Sequence, residues 1–179
     1  KRILEQQGLE TFIEIPSGIP SEEMNRLAEE KDVSLIVIGS HGESQARHLL
    51  FKFGSVASEV LHSHKRPLLM VRTKVAENEK GEICVLESCT DFRENVLYAT
   101  DFSETAHRAF MHVEEIVRRG CKKVTLMHVQ DSTRIEKYLK QKLDEFNKID
   151  RERLDMLKNK LEEMGARTIN IKIPYGNPT

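Results

Sequence analysis

Gly39, Ser40, His41 and Gly42 close the apolar run Leu35–Ile38, and Gly54-Ser55-Val56 opens an amphipathic segment eleven residues further on. Four successive apolar residues suit a central strand of a parallel sheet. Glycines at the carboxyl end of that strand let backbone come close to a ligand. A helix beginning at Gly54-Ser55 offers N–H groups and the positive end of its dipole, a setting that favours phosphate. Together these make a nucleotide cradle. In it Gly39, Gly42, Gly54 and Ser55 hold phosphate through backbone N–H groups and one hydroxyl, with Val56 beside them and His41 as a secondary contact. The plainer reading of the same residues is loop punctuation at Gly39 and Gly42 and an ordinary N-cap at Ser55.

A second cluster follows the strand-like run Asn95–Ala99. The chain turns at Thr100 and Asp101 and enters a helix capped by Ser103, which runs to about Arg119 before Gly120. Lys123–Val129 is the next strand. Asp101 reads equally as a loop-start carboxylate that caps this helix, and Val129 as strand core. His128 reads as a packed strand residue. In a doubly wound parallel α/β sheet the ligand site lies at the carboxyl ends of the strands, where both clusters fall.

The elements that must position these residues alternate along the chain. Lys1–Gly8 reads as the end of a helix with a glycine C-cap, Thr11–Ile15 as a strand, and Ser21–Glu30 as a helix with Ser21 as N-cap. Ser55–His62 is the next helix and Leu68–Val71 a strand. Residues 74–93 are charged and read as a linker holding a short added strand. Between Thr133 and Met164 apolar residues recur every three to five positions, giving one long helix or two with a break near Asn147. That spacing is not a strict heptad, so packing on the helix's own sheet is favoured over a coiled-coil arm. Thr168–Ile173 alternates as a final strand.

Composition bounds the partners. With 28 Lys and Arg against 29 Asp and Glu there is no general basic field for nucleic acid. Three cysteines form no even disulfide set and no C-x-x-C pair, and no stretch reads as a signal peptide or membrane span, so a cytoplasmic setting is expected. Neither His62-x-His64 nor the pair His107 and His112 has cysteine or carboxylate neighbours at zinc-like spacing.

Two runs carry a family resemblance. Leu35 to Gly42, Gly54 to Val60 and Arg66 to Arg72 resemble the C-terminal half of a universal stress protein domain, with a spacer, Glu43–Phe53, two residues longer than the family's pattern. Ala99-Thr-Asp-Phe-Ser-Glu-Thr-Ala106 and Leu126-Met-His-Val129 resemble the N-terminal half. The resemblance implies two tandem domains, each partly present: residues 1–73 as the C-terminal half of a first, a linker over 74–93, and residues 94–179 as the N-terminal half of a second. It further implies ATP or AMP as ligand, with Mg2+ accompanying a triphosphate. Ala99, Thr100 and Asp101 would face the adenosine part and Val129 the adenine. A homodimer or an intrachain pseudo-dimer is expected, with the strand Pro67–Arg72 at its interface. The chain lacks a Walker-type phosphate loop, so binding and signalling rank above slow ATP hydrolysis. A dimerising stress adaptor that works without nucleotide is the third expectation.

Overall fold

The computed structural model describes residues 2–40, 54–71, 74–77, 83–87, 92–133, 135 and 140–178. They divide into two compact units, Lys1–Cys89 and Thr90–Thr179. The fold is α/β: Ile36–Gly39 pairs in parallel with Leu68–Val71, and Lys123–Met127 pairs in parallel with Val96–Ala99 on one side and Thr168–Lys172 on the other.

In the first unit, helices α1 (Arg2–Gln6) and α2 (Pro20–Glu30) precede strand β1 (Ile36–Gly39), helix α3 (Ser55–Ser63) and strand β2 (Leu68–Val71). β1 and β2 pair in parallel, with Ile36 opposite Leu68 and Gly39 opposite Val71. The α2 N-cap is Ile19 rather than Ser21, because Pro20 has no N–H to leave unpaired and a φ preset for the first helical turn. Ser21 lies inside the helix, buried, and its hydroxyl donates to Glu59 Oε2 at 2.8 Å, which ties α2 to α3.

Thr11–Ile15 is not a strand. Alternation is only half of a strand, since the other half is a ladder, and no described residue pairs with this segment. Its apolar side chains stay out, with Phe12 79% and Ile15 89% exposed. The charged stretch after β2 contains two strands, β3 (Lys74–Glu77) and β4 (Ile83–Glu87), paired antiparallel.

In the second unit, β5 (Val96–Ala99), β6 (Lys123–Met127) and β8 (Thr168–Lys172) form a parallel sheet with β6 in the middle. The flanking strands β7 (Gln130–Asp131) and β9 (Tyr175–Gly176) prolong the β6–β8 pairing past a short break. Helix α4 (Glu104–Arg118) connects β5 to β6, and helix α5 (Leu143–Glu163) lies between β7 and β8. No helix among the described residues is long and apolar enough to cross a membrane.

Helix α4 begins where Ser103 Oγ accepts the Ala106 N–H at 3.2 Å. It ends at Gly120, whose φ of +109° lets the Cys121 N–H reach back to the Ile116 carbonyl. Phe110, Val113 and Val117 recur at helical spacing and meet the inward-facing Tyr98, Val124 and Leu126 of the sheet. Leu154 and Leu161 of α5 complete the same buried cluster. The long amphipathic segment thus packs on its own sheet, and Asn147 sits inside an unbroken helix.

Candidate functional site

The two clusters predicted from sequence fall in different units. In the first unit, β1 delivers Gly39 beside Val71, and Ser40 continues the pairing by donating its N–H to the Val71 carbonyl at 2.9 Å. The Ser40 carbonyl then accepts the Gly54 N–H, also at 2.9 Å, which brings the end of β1 to the start of α3. Gly54 is the N-cap of α3 and makes no side-chain cap bond. Its own N–H is therefore occupied, and the amides that helix geometry leaves without an intrahelical partner are those of Ser55, Val56 and Ala57. His41 and Gly42 lie outside the described residues.

In the second unit, Ala99, Thr100, Asp101 and Val129 line one cavity of about 910 Å³ at the carboxyl ends of β5 and β6. Ser103 and Ala106 of the α4 entry, Ile135, and Phe146 and Asp150 of α5 line it as well. The Thr100 N–H donates to the Met127 carbonyl at 2.9 Å, so the β5 to β6 ladder runs up to the cavity's edge.

The turn between β5 and α4 is held by its own polar atoms. Asp101 Oδ1 accepts the Ser103 N–H at 2.9 Å, and Thr100 Oγ1 accepts the Phe102 N–H at 2.9 Å. Phe102 is thereby fixed at φ +61°, a left-handed conformation that a side chain disfavours by roughly 1–2 kcal/mol. Its ring compensates by stacking on His128, with centroids 4.7 Å apart, and Arg153 lies 5.1 Å over it. Asp101 thus performs the helix-entry role that the plainer sequence reading gave it, while also facing the cavity.

The Ser103 hydroxyl is the main cause that holds the Asp101 carboxyl below its ordinary value of 3.8, followed by the Ser103 N–H. A depressed carboxyl stabilises the folded form above the ordinary pKa, and that contribution is lost as pH falls from about 3.8 through the lower folded value. Carbon-detected NMR titration is expected to place the Asp101 midpoint below 3.8, with the α4 entry intact until that titration begins. A midpoint at or above 3.8 would contradict this assignment.

The sequence reading missed the cavity's floor. His128 Nδ1 lies 2.8 Å from the Thr100 carbonyl, which can only accept, so Nδ1 carries a proton. The other ring nitrogen, Nε2, faces Asp150 Oδ2 at 3.5 Å. Gln130 Nε2 donates to the same carboxylate oxygen at 3.0 Å. Strands and long helix are thus joined by polar contacts under the cavity. One signal of this was present. Phe146, Asp150, Leu154, Leu157 and Leu161 share a helical stripe, and an acidic residue on such a stripe needs buried partners. Ile149, another apolar residue of the same segment, lies off this stripe and is exposed.

Comparison with known proteins agrees with this fold. Residues 1–72 match the model of the universal stress protein family. Universal stress protein MJ0577 of Methanocaldococcus jannaschii is 36% identical over 74 residues, which is 41% of this chain and 44% of that protein. Universal stress protein Slr1230 of Synechocystis is 32% identical over 72 residues, 40% of this chain and 24% of that protein. The chain thus spans less than half the length of these curated relatives. A solved universal stress protein from Archaeoglobus fulgidus superposes with a TM-score of 0.63 at 22% identity, over 99% of this chain and 55% of that one, a likeness of fold. The chain thus carries the universal stress protein fold along its length, and its residues 1–72 match the universal stress protein family.

Proposed function

We propose that the chain binds an adenine nucleotide, ATP or AMP, with the adenosine part in the cavity of the second unit. The observation that carries this reading is the convergence of Ala99, Thr100, Asp101 and Val129 on one cavity at the carboxyl ends of parallel strands. Val129, Ile135 and Phe146 give it apolar walls for a base, and Asp101 gives it an acceptor for ribose hydroxyls. The α3 start, with Gly39, Gly54, Ser55 and Val56, supports a phosphate-holding role for the first unit, and the same reading includes His41 and Gly42. Two tandem half-domains, each with its own pocket, and pairing between similar domains or between two copies of the chain belong to this proposal. Among the described residues no cluster of three or more His, Cys, Asp or Glu is placed to hold a metal ion, so Mg2+ would enter on the triphosphate. A role in stress signalling in the cytoplasm fits the buried free thiol of Cys121.

Isothermal titration with ATP and AMP tests the reading. Asp101→Ala is expected to weaken binding about tenfold, the loss of one charge-assisted hydrogen bond. Unchanged affinity would remove Asp101 from the site. A chain that binds no adenine compound would favour the nucleotide-independent adaptor, a reading supported by the exposed apolar residues Phe12, Ile13 and Ile15.

A further inference from the structure

The polar floor of the cavity calls for one proton more than a neutral imidazole carries. His128 Nδ1 uses one proton to meet the Thr100 carbonyl at 2.8 Å, an oxygen that can only accept. At the other end of the ring, Nε2 stands 3.5 Å from Asp150 Oδ2. A neutral ring brings a lone pair there, facing a carboxylate, whereas an imidazolium brings a second N–H and a positive charge. Turning the ring over is no remedy, because it would set a C–H against the Thr100 carbonyl.

The neighbours keep this arrangement in place. Phe102 stacks on the ring with centroids 4.7 Å apart. Gln130 Nε2 holds Asp150 Oδ2 at 3.0 Å, and the buried Gln130 Oε1 has no hydrogen-bond partner, so the amide has nothing to gain by releasing the carboxylate. Among the described residues, the charged groups that face the ring come from two elements. Helix α5 supplies Asp150 and, 3.9 Å from its Oδ1, Arg153, which also lies 5.1 Å over the Phe102 ring. The β5–α4 turn supplies Asp101, on whose carboxyl the ring's charge acts after the Ser103 hydroxyl and N–H. Strand β8 meets His128 through the Lys172 carbonyl, which accepts the His128 N–H at 3.0 Å.

We infer that His128 is a proton-operated latch between the strand ends and α5, and that the cavity holds its ligand more tightly when the ring carries both protons. The ligand rests on the adenine-nucleotide reading, the latch on these contacts alone. His128 and Asp150 both line the cavity, so a ligand that fills it takes water from both. A carboxylate that faces an imidazolium tolerates this, whereas one that faces a lone pair is desolvated without its partner, which weakens binding. Affinity therefore falls as pH rises through the range in which histidine changes charge, roughly pH 5 to 8.

Two measurements on the full chain test this. Adenosine is the probe, because it lacks the phosphate that would itself titrate in that range. Calorimetry at about pH 5.5 and about pH 8.5 is expected to show adenosine binding roughly tenfold weaker at the higher pH. His128→Asn, which keeps a donor for the Thr100 carbonyl and does not titrate, is expected to bind equally at both. A pH dependence that survives in His128→Asn would overturn the inference, since other groups would then be its source. Carbon-detected NMR of the ligand-free chain is expected to show the Asp150 carboxyl responding in step with loss of the His128 ring proton. An Asp150 signal that ignores the ring would overturn the latch, whether or not adenosine binds. Equal affinity of the parent chain at both pH values would overturn the control of binding and leave the adenine-nucleotide reading standing. Adenosine binding at neither pH would count against that reading, and the Asp150 response alone would then decide the latch.

Discussion

Phe110→Ala is expected to cost about 3–5 kcal/mol of the second unit's unfolding free energy, the usual loss for a buried aromatic truncated to alanine. Phe110 has no solvent exposure and stands where α4 meets the sheet. Its ring packs on Tyr98 with centroids 5.2 Å apart at 55°, and Lys160 of α5 lies 5.8 Å over it. Tyr98 in turn donates its hydroxyl to the Ala106 carbonyl at 2.7 Å, so one side chain anchors strand, helix and helix. Lys160 is held by an ion pair with the mostly buried Glu114, which keeps its stem from moving into the void. The chain has no Trp, so urea unfolding followed by circular dichroism is the measurement. A loss below about 1 kcal/mol would show that the site collapses and that the core does not depend on this ring.

Asp150→Ala is the second large effect, expected at about 2–3 kcal/mol, because it strands partners rather than merely losing a bond. Asp150 has a side chain only 13% exposed and faces Gln130, His128 and Arg153. Removing it leaves the Gln130 amide without a partner at either end. Asp150→Asn keeps the shape and one acceptor, so a loss of about 1 kcal/mol is expected for it. The same urea unfolding measurement separates the two variants. Equal stability of Asp150→Ala and the parent chain would mean that water already serves Gln130 and His128.

The parallel strands were legible as short apolar runs, although one face of β1 and of β5 is exposed, with Val37 and Leu97 each at 60%. Leu35–Ile38 and Leu68–Val71 read that way, and Val96–Ala99 and Lys123–Met127 followed from the same grammar. Local chemistry was legible too, as Ser103 shows by capping α4 through the bond that its type predicts. Reading failed where the deciding partner is distant or missing. Thr11–Ile15 alternates correctly and forms no ladder. Ser21 has the right type for a cap, yet Pro20 one residue earlier sets the helix start. Of the site, Ala99, Thr100, Asp101 and Val129 were named from the chain, whereas the His128, Asp150 and Gln130 contacts join residues 20 to 28 positions apart or face across the cavity floor. No local pattern encodes such a meeting.

The placement of β6 between β5 and β8 has a kinetic side. β5 joins β6 across roughly 28 residues, whereas β6 joins β8 across roughly 45, the excess being mostly α5. Closing the longer loop costs an unfolded chain only about 0.4 kcal/mol more, because closure entropy grows with the logarithm of length. Helix α5 forms from contacts near in sequence and shortens the distance that β8 must search, so the long insertion slows assembly of the sheet far less than its length implies.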